Sequence, residues 1–340
     1  MAELDGARIR MSDEKKADSP LSRERFESLW TGVADQRHDP VAGLFGSDSI
    51  SWRINRESAL FLAAGRAALL QLAHPWVAAA LDQRSNLRND PLARFHHTFR
   101  VIFTMVFGTG AQALAVSQFL YTLHTRIEGH LPETVAAYPC GSPYYANEIN
   151  ALCWVYATLV ESAVLAYESV LAPLTSAEKE TYYAESKTLA ALFGIPADAL
   201  PADWSTFEAY NRAMWSSDAL GINSLSREMA HRILHGRGSW VSVPGWYRAL
   251  TTVWLPERFR AEFALPCRDR ERASANRALR WLPRFYAGIP ACIRFVGPYQ
   301  EACARLSGRP PGSLARISNR FWMGQPYMMP GTDQWHRKTL

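Results

Sequence analysis

Cysteine is scarce in this chain. Its five residues, Cys140, Cys153, Cys267, Cys292 and Cys303, are odd in number, far apart and without a C-x-x-C pair. That argues against a disulfide framework and a cysteine zinc site, and fits a reducing compartment. A long uncharged apolar run is also missing. The most apolar stretch, 151–174, is interrupted by Glu161 and Glu168, so it reads as a buried helix and not a stable membrane span. Residues 1–24 pass through Glu3, Asp5, Arg8, Arg10, Asp13, Glu14, Lys15 and Lys16 before any apolar stretch, the opposite of a signal peptide. They are expected to form a disordered tail, and the protein is expected to be cytoplasmic. No charge of one sign dominates: Lys+Arg 37 and Asp+Glu 32 are interspersed, so a pI near 9.0 does not announce a nucleic-acid partner. There is no Gly-rich phosphate loop, no G-x-S-x-G elbow and no cysteine with an obvious local base, which sets hydrolases aside.

What is present is helical. Hydrophobic residues make up 48% and charged residues 20%, enough for a large globular core. Apolar positions recur at helical spacing over 57–73, where His74-Pro75 closes the pattern, and again from Pro91 to about Val106. Gly108-Thr109-Gly110 separates the latter from a helix expected to run to Gly129. A long helix follows from Asn147 to Leu171. Thr175 and Glu178 then form a capping box for a helix ending near Phe193. Further helices are expected at 205–219, 225–236, 246–263, 268–287 and 298–307. No convincing alternating strand or repeat is found. The fold class expected is therefore all-α, with one domain over 25–310 and an irregular extension over 311–340.

Four constellations could carry chemistry. Folding two helices back on Gly108–Gly110 sets His124 level with Arg94 and Tyr121 level with His97. His124 then sits above Ala113 and Ser117, small residues that could leave room for a flat cofactor. Spacing alone nevertheless favours a satisfied core histidine over a ligand. Glu228, His231 and His235 share one helix face at metal-site spacing, but a carboxylate-bridged di-iron site needs two Glu-x-x-His pairs, and no metal is expected there. His74 reads as a helix C-terminus residue helping to satisfy carbonyls. The tryptophans at helical spacing read mainly as core.

Several segments nevertheless occur together in one order: Ser51-Trp52-Arg53-Ile54-Asn55-Arg56-Glu57, Gly65-Arg66 through Gln71-Leu72-Ala73-His74-Pro75, Asp90-Pro91 with Arg94 and Thr98, His124 with Ile127 and Gly129, Tyr144-Tyr145-Ala146, and Trp154 through Leu159. In this the chain resembles the catalytic-domain family of the oxygenase MpaB and the rubber oxygenases, over about residues 45–265. The resemblance implies a globin-like all-α core carrying haem b. It implies His124 as proximal iron ligand, with Arg94 and Thr98 as distal-side residues of an Arg-x-x-x-Thr motif. Where rubber oxygenases carry a lysine able to reach the distal iron position, this chain has His97, a stronger haem ligand. No position matches the glutamate base of rubber cleavage, so polyisoprene is not implied as substrate.

Two functional classes follow from the resemblance. One is a haem oxygenase that uses O₂ on an apolar small molecule, isoprenoid or lipid-like, with an electron donor as a further partner and Arg94, Thr98 and His97 around the reacting centre. The other is a non-catalytic haem protein that binds or senses a ligand through bis-histidine iron. A helical scaffold without cofactor is a third, weaker reading.

Overall fold

The computed structural model describes residues 20–84, 91–236 and 242–328. Its first half contains α1 (Arg23–Ala34), α2 (Ile50–Asn55), a 3₁₀ segment (Ser58–Ala63), α3 (Ala64–Leu72), α4 (Pro75–Arg84), α5 (Pro91–Phe107) and α6 (Gly110–His124). A two-stranded antiparallel ribbon, β1 (Glu128–His130) with β2 (Pro143–Tyr145), leads into α7 (Ile149–Val170) and α8 (Ser176–Leu192). There follow α9 (Trp204–Ser216), α10 (Ser224–His235), α11 (Gly245–Trp254), α12 (Glu257–Glu262), α13 (Asp269–Ala287), α14 (Ala291–Arg294), α15 (Gly297–Leu306) and α16 (Ser313–Met323). The all-α class expected from periodicity is what the chain adopts.

Helix α7 is the axis of the molecule, with the 3₁₀ segment, α3, α8 and α13 packed on it. Glu148 starts it, its carboxylate accepting from the amides of Asn150 at 2.9 Å and Ala151 at 2.7 Å. Its length and hydropathy would suffice to cross a membrane, but 67% of its most apolar window is buried by surrounding helices. The main core joins Trp52, Phe103, Phe107, Tyr156 and Tyr183, so most of the aromatic load is packing, as its spacing suggests.

The expected helix over 57–73 is broken, and the cause is a single hydroxyl. In a continuous α-helix the Gly65 amide would donate to the Phe61 carbonyl. Instead Gly65 N–H donates to Tyr247 Oη at 3.0 Å, and Tyr247 O–H donates to Phe61 O at 2.9 Å. A side chain from α11 has entered the ladder, leaving 3₁₀ turns before it and α-helix after it. Glycine is required at the break, because a Cβ on Gly65 would sit 2.9 Å from Thr251 Oγ1 and 3.2 Å from Tyr247 Oη.

Other differences have equally local reasons. The helix expected over 246–263 splits at Pro256, whose ring holds Leu255 in extended backbone (ψ 146°). The helix after Gly110 stops at His124, since Glu128–His130 pairs with Pro143–Tyr145; three-residue strands are too short to show alternation. The irregular extension expected over 311–340 contains α16, which begins directly after the Gly308–Gly312 breaker cluster. Of the expected N-terminal tail, residues 1–19 lie outside the described residues. Leu21 is buried, with its amide bonded to the Asn147 carbonyl, and α1 starts at Arg23.

Candidate functional site

The hairpin of α5 and α6 is fixed first at its turn. The Gly108 amide closes α5 on the Thr104 carbonyl at 2.9 Å, and Thr109 opens α6 with a capping box to Gln112. The orphan carbonyls at the end of α5 are taken by the Trp52 indole on Val106 O (2.9 Å) and the Arg305 guanidinium on Phe107 O (2.7 Å). With the turn held, the open end of the hairpin has a defined register: the start of α5 meets the end of α6.

At that open end His124, His97 and Arg94 form one electrostatic group. Burial, and then the Arg94 and His97 charges, push the His124 imidazole down to about 4. His97 is likewise pushed down to about 4, by burial and then by Arg94 and Arg100. Both rings are therefore neutral at pH 7. The His97 ring stands edge-on to Phe119 of α6, with centroids 6.3 Å apart. No hydrogen bond to the His124 ring and no acid partner for Arg94 occur among the described residues. Burial alone lowers the Arg94 guanidinium from its ordinary value. Arg94 and His124 are both half-buried, so water still reaches them where the described residues supply no partner.

Arg94 and Thr98 also line a cavity of about 550 Å³ whose walls are overwhelmingly apolar. Thr98 Oγ1 donates back to the Arg94 carbonyl at 3.1 Å, which holds its methyl group and hydroxyl in a fixed attitude on α5. Around them stand Phe95 and Phe99, the 3₁₀ residue Phe61, and Trp322 of α16, which stacks on Phe61 with centroids 3.4 Å apart. Ala64 and Ala67 of α3 are among the small residues that leave the space open. His97 and His124 are not on this wall. Arg94 is thus the side chain common to the histidine group and the cavity.

The spacing argument placed Ala113 and Ser117 beneath His124 as an opening for a cofactor. The structure fills that place: Ser117 Oγ donates to the Leu192 carbonyl at 2.7 Å, and Ala113 is packed among Val101, Val116 and Leu189. Tyr121 stacks on Phe26, centroids 4.1 Å apart. His74 does not bond the helix-terminal carbonyls. Ala73 O accepts from the Gly221 amide at 2.8 Å, while the His74 ring is buried with Nδ1 unpartnered and is pushed down to about 4. Glu228 accepts from Arg232 Nε at 2.9 Å, His231 Nε2 lies 3.1 Å from Phe263 O, and Arg248 donates to His235 Nδ1 at 3.2 Å. These three side chains are engaged with protein groups. No cluster of three metal-capable side chains occurs among the described residues.

Trp322, Phe61 and Tyr247 line the cavity without having been singled out as site residues. The available signal was the aromatic at helical spacing after residue 313, hidden by the preceding glycines and prolines.

Residues 52–285 match the family described as ER-bound oxygenase mpaB/B'/Rubber oxygenase, catalytic domain. No curated protein and no solved structure matches the chain.

Proposed function

From the premise that the chain belongs to this family of oxygenase catalytic domains, we propose that it is a haem b-dependent oxygenase acting with O₂ on an apolar small molecule. The observation that carries the proposal is the open end of the α5–α6 hairpin. It holds a half-buried imidazole whose pKa is lowered, beside a half-buried guanidinium, neither with a hydrogen-bond or acid partner among the described residues, next to an apolar cavity.

The chemistry of these side chains suits that group, with Arg94 and Thr98 on the cavity wall and the two histidines beside it. A neutral imidazole is the protonation state that can ligate iron, and His124 is held in it across the physiological range. An unpaired guanidinium suits a carboxylate, a group that haem b carries. His124 would hold the cofactor from α6, while Arg94, His97 and Thr98 would face it from α5. Haem, when bound, supplies the O₂ and one-electron chemistry that side chains lack.

The chain's own contributions are positional. The aromatic walls exclude water from the cavity and hold an apolar substrate by dispersion and desolvation. The Thr98 hydroxyl, already donating to Arg94 O, keeps its lone pairs available to accept a hydrogen bond at the cavity edge. Arg94 offers the fixed positive charge that would orient a polar or anionic end of a substrate.

The non-catalytic reading rests on one specific observation: His97 lies close enough to His124 to help lower its pKa. If both ligate, no position remains for O₂. An absorption spectrum of the purified chain with added haem tests both readings. His124→Ala should lose the Soret band while keeping its helix content, at a cost of about 1–3 kcal/mol in stability. A retained, unaltered Soret band in that variant would refute the assignment. CO binding to the reduced wild type supports the oxygenase. Failure to bind CO, relieved in His97→Ala, supports bis-histidine iron.

A further inference from the structure

Eight of the nine exposed large hydrophobic side chains among the described residues fall between Trp281 and Tyr327. The same part of the chain has an extreme charge bias: from 273 to 328 there are eight arginines and one acid, Glu301. That glutamate is turned inward, accepting from Asn319 Nδ2 and the Met328 amide at 2.8 Å each. Arg294 and Arg305 are also used internally, on Glu57 and on the Val41 and Phe107 carbonyls. Arg277, Arg280, Arg284, Arg309 and Arg320 are exposed.

Helix α16 concentrates both properties. Leu314, Ile317 and Phe321 are 52%, 58% and 54% exposed, and their three- and four-residue spacing puts them within one narrow arc. The opposite face buries Ala315, Asn319 and Met323. Arg320 is exposed beside this arc and Arg309 is exposed just before the helix, whereas Arg316 is half-buried toward the packed face. Ile293 of α14, which packs against α16, is 64% exposed. The helix is fastened to the body through His96 Nε2, 3.0 Å from Phe321 O, and through Arg100, which donates to Gln325 Oε1 at 2.9 Å. Its apolar side therefore faces outward from a firm seat. Phe321 and Arg320 also line the 550 Å³ cavity, so this face reaches the cavity mouth.

An apolar arc in an arginine field without exposed acids has the chemistry of an interfacial helix on a negatively charged lipid surface. We propose that α14 and α16 form a docking face for an anionic membrane surface. Leu314, Ile317 and Phe321 enter the boundary between headgroups and acyl chains, and the flanking arginines meet lipid phosphates. The cavity then opens toward lipid, and an apolar molecule dissolved there reaches it without crossing water. The binding itself needs neither haem nor turnover, so it stands or falls separately from the oxygenase proposal.

The test is flotation of the full-length chain with phosphatidylcholine vesicles, with and without phosphatidylglycerol. The wild type should float with the anionic vesicles and be weakened by salt. Ile317→Glu with Phe321→Glu should lower the partition at least roughly tenfold, and so should Arg309→Glu with Arg320→Glu, the arginine pair also flattening the salt dependence. Val41→Glu, at an exposed apolar residue outside this segment, should leave the partition unchanged. Circular dichroism and thermal melting confirm that each variant is folded; Leu314→Gln serves if the glutamate pair is not. The proposal is overturned if the wild type stays with the unfloated protein. It is equally overturned if the apolar variants bind as the wild type does, which would mean simple electrostatic adsorption. A stable dimer, dissociated by Ile317→Glu in sedimentation equilibrium, would assign the face to a second copy and overturn it as well.

Discussion

Residues 55–71 and the open end of the α5–α6 hairpin both carry polar side chains, yet they treat them in opposite ways. In the first region Arg66 is almost wholly buried and fully engaged, donating to Glu161 and Ser162 at 2.8 Å and to Trp254 O at 3.0 Å. Glu57 accepts from Tyr286 and pairs with Arg56 and Arg294, Asn55 bonds Ser51 O, and Gln71 bonds Thr158. In the second region Arg94 and His124 receive no such partners. The first region uses polar groups to join α3, α7 and α11 in one register. The second leaves Arg94 and His124 half-buried with no partner among the described residues. Much of the ordered motif set that signals the family is therefore scaffold, and the proposed site lies where bonding within the protein is incomplete.

The contrast can be broken most forcefully at Arg66. Arg66→Ala leaves Glu161 and Ser162 without their donor and should cost about 3–5 kcal/mol in urea unfolding. A loss below about 1 kcal/mol would mean that this network is not what holds the helices together.

The buried histidines give a second, pH-dependent effect. His74 is almost wholly buried, with its folded pKa of about 4 below an ordinary value of 6.5. Folding thus favours the neutral ring, so stability is intact above pH 6.5 and declines as pH falls from 6.5 toward 4. For His74 the decline amounts to at most about 3 kcal/mol. Unfolding curves between pH 7 and pH 4 should show this slope, and His74→Gln should flatten it. An unchanged slope in the variant would assign the acid sensitivity to other groups.

The smallest effect has the opposite sign. Arg94→Met removes an uncompensated cation and should leave the haem-free protein unchanged or stabilise it by about 1–2 kcal/mol, measured by the same unfolding curves. Haem affinity and turnover should fall in the same variant. A destabilisation comparable to that of Arg66→Ala would erase the distinction between the two regions.

Sequence periodicity was sufficient for α5, α7 and α8, because long amphipathic or apolar runs bounded by proline, glycine or a capping box leave little choice. It could not foresee the break at Gly65, which depends on a hydroxyl 182 residues away in the chain. It set His124 level with Arg94 through hairpin symmetry, and in the structure the Arg94 charge is near enough to help lower the His124 pKa. It could not foresee that α8 fills the space under His124, since Leu192 O and Ser117 Oγ meet only in three dimensions. The cavity was illegible for the same reason: Phe61, Phe99 and Trp322 come from three separate elements.

The Phe61–Trp322 stack carries one more consequence. Phe61 belongs to the stretch that matches the oxygenase family, residues 52–285, while Trp322 lies beyond it. The cavity is thus assembled from two parts of different standing, the family-matched unit and an appended wall. Changing the appended wall alters what fits without disturbing the hairpin that supplies the chemistry. Trp322→Ala should accordingly enlarge the range of apolar molecules accepted while leaving the His124 environment untouched, so that selectivity and reactivity in this chain can be redesigned one at a time.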